Sequence, residues 1–235
     1  MTHRRMRLTP DLVARVHRHI PDPGPMARET LVPKDWHETT AKTLRAKLAP
    51  GEPLWVFGIG SLIWRSPIAF SARRVGTVRG WHRSFCLGWD TRYRGNPENP
   101  GLMLSLDRGG SCKGVALMID GARLDADLVP LLQREPPLMP RWVTVATEDG
   151  PLRAIAFACD RGYVSYVGRL TPERVADHLA TAVGFWGSMA EYVMNTVAGL
   201  EEIGIHDRRM WHMQELVAAR IEANTSPVSP GEAAS

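Results

Sequence analysis

The chain has 235 residues, 44% of them hydrophobic and 23% charged, so it can bury a sizeable core and is not a disordered polypeptide. No apolar run is long enough to span a membrane, and the basic start Met1-Thr-His-Arg-Arg-Met-Arg lacks the apolar stretch of a secretory signal; a cytoplasmic protein is expected. The net charge of +4 is carried partly by Arg4, Arg5, Arg7, Arg15 and Arg18, which read as a solvated face rather than a nucleic-acid-binding arm because no recognisable recognition motif follows them.

In chain order, Thr9-Pro10-Asp11 is a helix start, with a capping hydroxyl, a proline at the first helical position and an acid in the first turn. Leu12, Val13, Val16 and Ile20 then fall on one face. Pro21, Pro23, Gly24 and Pro25 end that helix and make a linker. Asp35 to Leu48 predicts a second helix, closed by Pro50-Gly51-Glu52-Pro53. Residues 1–53 therefore read as a helical extension and linker in front of a catalytic unit at 54–223.

From Leu54 to Cys159 the pattern is mostly strand: 54–57, 75–80, 82–89, 102–106, 112–119, 141–147 and 152–158. Arg92 to Gly101 reads as a long loop and Asp107-Arg108-Gly109-Gly110 as a hairpin turn. One helix, Leu124 to Arg134, interrupts the strands. Short strands at this spacing predict a small closed or partly closed barrel. After Gly162 the pattern turns helical. Thr171-Pro172-Glu173 repeats the earlier cap, Ser188 to Glu191 matches a capping box, Gly204 suits a helix C-terminus, and Asp207 can cap a last helix. The tail at 224–235 is rich in Ser, Pro, Gly and Ala and reads as flexible.

Chemistry is sparse. There is no phosphate-binding loop and no nucleophile elbow, and Gly58-Ile59-Gly60 lacks the third glycine of a dinucleotide fingerprint. The histidines have no metal-ligand spacing, so no metal and no cofactor are expected. Cys86, Cys112 and Cys159 form no CxxC pair and read as reduced, buried thiols. Two features stand out. The strand Leu54–Phe57 runs into Gly58-Ile59-Gly60-Ser61, a turn whose exposed backbone N–H groups can form an anion-binding nest. Glu135 ends a leucine-rich helix immediately before Pro136-Pro137. Position alone favours a solvent-exposed Glu135 paired with Arg134 or Arg141, with a cleft carboxylate as the other reading.

The run Phe57-Gly58-Ile59-Gly60-Ser61-Leu62-Ile63-Trp64, the segments Arg94 to Gly101 and Asp107 to Cys112, Arg134-Glu135, Tyr166 to Leu170, Glu191-Tyr192 with Asn195-Thr196, and Gly204 to Asp207 together resemble the ChaC-type gamma-glutamylcyclotransferases, the enzymes that cleave glutathione. The resemblance spans about Leu54 to Ile221. It implies an α+β fold, a small, mostly antiparallel β-barrel with helices packed outside it. It also implies Glu135 as the catalytic carboxylate and a substrate-holding loop of Gly58, Ile59, Gly60, Ser61, Leu62 and Ile63. The implied partner is a small molecule, glutathione or another γ-glutamyl compound, with no nucleic acid and no membrane; the oligomeric state is not readable.

Two departures stand out: Ile59 replaces the family's usual tyrosine, and Pro136-Pro137 replaces a Gly-rich stretch after the glutamate. Tyr166 is a further candidate for a substrate hydrogen bond, balanced by a purely structural role at a strand end. Arg92 and Arg94 read as braces of their loop before substrate ligands. A cyclotransferase for a different γ-glutamyl amide or dipeptide, and an inactive binding homologue, are the alternatives.

Overall fold

The structure, a computed structural model, describes residues 5–30 and 32–225. Arg4 and the tail beyond Thr225 lie outside the described residues. A closed barrel is built from β1 (Leu54–Gly58), β2 (Ala72–Asp90), β3 (Gly101–Ile119), β4 (Arg141–Thr147) and β5 (Gly150–Ala156), in the order β1-β3-β2-β4-β5. All neighbours are antiparallel except β1 and β5, which run parallel through Trp55↔Ala154 and Val56↔Ile155. The α+β barrel inferred from the sequence is the fold observed.

Four of the predicted strands merge in pairs into β2 and β3. Asp107 to Gly110 is not a hairpin turn: it lies inside β3, and the reversal between the two long strands is the 91–100 loop. The reason is local. Gly80 (φ 82°) on β2 faces Gly109 (φ 104°) and Gly110 (φ 70°) on β3, where the register shifts between Arg79 and Trp81. Left-handed glycines serve a bulge as readily as a turn, and here they bend a continuous two-stranded ribbon so that the barrel can close.

The helices form where their caps predict. Thr9 accepts from the backbone N–H of Leu12 to start α1 (Pro10–Val16), Thr171 from that of Arg174 to start α6 (Pro172–Thr181), and Ser188 from that of Glu191 to start α7 (Met189–Glu202). Asp207 accepts from Arg209 N and Met210 N at the start of α8 (Arg208–Thr225). The remaining helices are α2 (Ala27–Thr30), α3 (Trp36–Arg45), α4 (Ser61–Trp64) and α5 (Leu124–Arg134). No helix among the described residues is long and apolar enough to cross a membrane.

The N-terminal residues are not a free-standing extension. Leu8, Leu12 and Val13 are buried in one cluster with Leu179, Val193, Val217 and Ile221, and Leu44 of α3 is buried with Leu54, Leu124 and Leu128. Arg7 pairs with Glu222 of α8, and the Leu8 N–H donates to Gln214 Oε1 at 2.8 Å. Each of these apolar side chains contributes about 1.5–3 kcal/mol by leaving water. A chain beginning at Pro50 should therefore lose at least about 10 °C of thermal midpoint; a midpoint equal to that of the full chain would contradict this packing.

Candidate active site

β1 is hydrogen-bonded to β3 on one edge and β5 on the other, and it delivers Gly58-Ile59-Gly60 into α4. Neither glycine adopts a left-handed φ. Their function is close approach. A Cβ at Gly60 would lie 2.5 Å from the Tyr192 hydroxyl and 3.2 Å from Leu104 Cδ2, and one at Gly58 would lie 3.2 Å from Leu117 Cδ1. α4 is pinned to α7, with Trp64 Nε1 donating to Thr196 Oγ1 at 3.2 Å.

A cavity opens beside this turn. It is lined by Phe57, Leu104 and Ser105 of the barrel strands, Phe157 just after β5, Ile59, Gly60, Ser61 and Leu62 of the turn, Glu135, Pro136 and Leu138 after α5, and Tyr192 of α7. Its unfilled space is about 450 Å³, continuous with solvent. Of the residues singled out in the sequence, Ile59, Gly60, Ser61, Leu62 and Glu135 come together here. Gly58, Ile63 and Tyr166 are not among the lining residues.

Glu135 is where α5 stops. Leu124, Leu128, Leu131 and Leu132 bury the helix on the barrel, Pro136 prevents a further turn, and Glu135 is extended at φ −93°, ψ 157°. Its side chain keeps only 16% of its surface exposed, which corrects the solvent-exposed reading favoured by its position. Arg141 pairs with Asp160 instead, and Arg134 Nη1 stands 4.0 Å from Glu135 Oε1. Burial pushes the Glu135 carboxyl from 4.5 up to about 7, against the opposing pull of the Arg134 guanidinium. Arg134 is in turn held by the Arg65 carbonyl, 2.8 Å from Nη2, and lies 5.8 Å from the Trp186 ring centroid.

Ile59 contributes an apolar side chain to the cavity and its carbonyl to a buried brace. Arg83 Nε donates to Ile59 O at 2.7 Å and Nη2 to Lys113 O at 2.9 Å, while Nη1 pairs with Asp207. One guanidinium thus ties the glycine turn to β3 and to the cap of α8. Tyr166 is engaged elsewhere: its hydroxyl donates to Asp107 Oδ2 at 3.2 Å, and Asp107 is also held by Arg161 Nε at 3.0 Å.

Arg92 and Arg94 brace their surroundings, as expected. Arg92 pairs with Asp22 and Glu29 of the N-terminal segment. Arg94 Nη1 donates to Ser188 O at 2.8 Å and Glu191 Oε2 at 2.9 Å.

Sequence reasoning missed Arg83 and Tyr192. For the first there was no clear signal, since β2 carries Arg73, Arg74 and Arg79 as well. For the second the signal was a tyrosine in a stripe read wholly as core. The three cysteines are free and buried. Among the described residues no group of three or more His, Cys, Asp or Glu gathers to hold a metal ion.

Removing Arg83 leaves Asp207 without its partner and the Ile59 carbonyl without a donor. Arg83→Leu should cost about 3–5 kcal/mol in denaturant unfolding, as for one half of a buried ion pair; a loss under about 1 kcal/mol would show that the brace carries no weight.

Residues 54–220 match the family model described as ChaC-like protein. The chain is 36% identical over 177 residues to the glutathione-specific gamma-glutamylcyclotransferase of Escherichia coli, covering 72% of this chain and 76% of that protein. It is 36% identical over 154 residues to glutathione-specific gamma-glutamylcyclotransferase 1 of Homo sapiens, covering 61% of this chain and 69% of the human protein. Among solved structures, a yeast gamma-glutamyl cyclotransferase specific to glutathione superposes with a TM-score of 0.67 at 20% identity, over 72% of this chain and 96% of that one, a likeness of fold. With the family model covering most of the barrel and the helices behind it, the chain belongs to the ChaC-like protein family.

Proposed function

We propose that the protein is a gamma-glutamylcyclotransferase that cleaves glutathione to 5-oxoproline and Cys-Gly. The observation that carries this reading is a half-buried carboxyl with a raised pKa, Glu135, facing the Gly60–Leu62 turn across one small cavity. The names of the relatives support the substrate. Residues 54–223 form the catalytic unit, and Leu8, Leu12, Val13 and Leu44 of the preceding segment pack against it. Three unpaired buried thiols suit a reducing cytoplasm.

The reaction needs no enzyme nucleophile. The substrate's own α-amine attacks its γ-carbonyl carbon and closes a five-membered ring. Holding the γ-glutamyl group folded in this way is worth about 7–11 kcal/mol at best. The turn from Gly58 to Ile63 provides that hold, with the N–H groups at the start of α4 directed at the α-carboxylate or the developing oxyanion.

The proton transfers remain. The α-ammonium must lose a proton before it attacks, the leaving nitrogen must gain one when the C–N bond breaks, and the ring nitrogen must shed its second proton to become the lactam N–H. Glu135 performs them in turn, as base, then as acid, then as base again. A carboxyl that titrates near 7 is matched to accepting and returning a proton at neutral pH, which contributes about 10²–10⁴-fold.

The test is release of 5-oxoproline from glutathione and from a panel of γ-glutamyl dipeptides. Glutathione should be turned over fastest. A dipeptide preferred by a wide margin would reassign the substrate, and Ile59 is the first position to examine because its side chain lines the cavity where a tyrosine is usual. Glu135→Gln should lower kcat by at least about 10²-fold with the fold and KM preserved. Because the base must be ionised and its pKa is raised, wild-type kcat/KM should fall as pH drops below about 7; near-wild-type turnover by Glu135→Gln would sink the mechanism.

A further inference from the structure

Tyr192 lies in the second turn of α7, in a stripe that otherwise faces the core, yet its hydroxyl is in the cavity wall. The ring is fixed on two sides by edge contacts, with centroids 5.9 Å from Trp64 and 6.5 Å from Phe85. The hydroxyl is close enough to Gly60 that no larger residue fits there, and the Ser61 backbone N–H interacts with it. Among the described residues no protein acceptor takes the Tyr192 proton. The Arg94 guanidinium lies 5.4 Å from the ring centroid, a cation–π contact that helps to fix the ring. A fixed hydroxyl whose proton has no protein acceptor among the described residues, beside the turn and sharing one cavity with the carboxyl, has the geometry of a donor prepared for negative charge.

We infer that Tyr192 is a further catalytic residue whose hydroxyl donates a hydrogen bond to the oxyanion formed at the γ-carbonyl of the substrate. This rests on the cyclotransferase reading and adds one step to it. The α-amine nitrogen bonds to the γ-carbon, the C=O π pair moves onto oxygen, and the Tyr192 O–H stabilises that charge without transferring its proton. When the oxygen pair returns to re-form C=O, the bond to the leaving nitrogen breaks, Glu135 gives that nitrogen the proton it took from the α-ammonium, and the freed carboxylate takes the remaining extra proton from the ring nitrogen. Burial and the neighbouring Glu135 carboxyl raise the Tyr192 pKa while Arg94 and Arg134 oppose them, so the phenol stays protonated and able to donate at neutral pH.

The experiment compares wild type, Glu135→Gln and Tyr192→Phe for 5-oxoproline release from glutathione, with thermal midpoints measured alongside. Phenylalanine keeps the ring contacts and removes only the donor. Tyr192→Phe should lower kcat roughly 10²-fold with KM within about threefold of wild type. A kcat within twofold of wild type would overturn the inference. So would a raised KM at unchanged kcat, which marks ground-state binding.

Should the phenylalanine variant melt below the assay temperature, 3-fluorotyrosine at 192 gives an independent reading. It keeps the shape and makes the phenol more acidic, with Glu135, Arg134 and Arg94 still the charged groups around it. The alkaline fall of kcat should move to lower pH, and an unmoved profile would overturn the assignment. If wild type releases no 5-oxoproline from any γ-glutamyl compound, the cyclotransferase reading fails and this one with it. If wild type is active and Tyr192→Phe matches it, only the role of Tyr192 fails.

Discussion

The site depends on holding one carboxyl largely out of water in the cavity that the Ile59–Leu62 turn also lines. Ionising Glu135 in that setting costs about 3 kcal/mol relative to water, the equivalent of moving its titration from 4.5 to about 7. The fold tolerates this because α5 is buried along its leucine face and cannot rotate the carboxyl outward, and because Pro136 ends the helix at that point. The same residues that stabilise the barrel thus impose the strained protonation equilibrium that the chemistry uses.

The opposite wall is equally constrained. Gly60 is a glycine because Tyr192 leaves no space for a side chain. The turn is held from behind by Arg83, whose bonds reach Ile59, Lys113 and Asp207. From outside, Arg94 links the 91–100 loop to the start of α7 through Ser188 and Glu191. Charge is thus used mainly for geometry. Of the arginines around the site, Arg83 donates from all three guanidinium nitrogens to protein acceptors, Arg94 donates from Nη1 to Ser188 and Glu191, and Arg134 is shared between the Arg65 carbonyl and the edge of the Glu135 carboxyl.

Legibility in the sequence followed the range of each interaction. Caps at Thr9, Thr171, Ser188 and Asp207 are contacts over two or three residues, so their helices could be read directly. The β1 strand and its glycine turn were legible for the same reason. The bend at Gly109-Gly110 was misread because its meaning depends on Gly80, nearly thirty positions earlier, across the ladder. The docking of Leu8 and Leu12 on α6–α8 is a tertiary event with no local sign. Glu135 was singled out by its place before Pro136-Pro137 and given its catalytic role by resemblance, while its burial depends on how α5 lies on the barrel, which no spacing reveals. Tyr192 was hidden because a helical stripe looks the same whether its polar tip meets solvent, core or a cavity.

The central claim is that Glu135 titrates near neutrality in the free protein. Infrared difference spectra of wild type across pH 4 to 9, with Glu135→Gln subtracted, isolate the carboxyl band of this one side chain. The account predicts loss of that protonated band with a midpoint near 7; a midpoint near the ordinary 4.5 would contradict it.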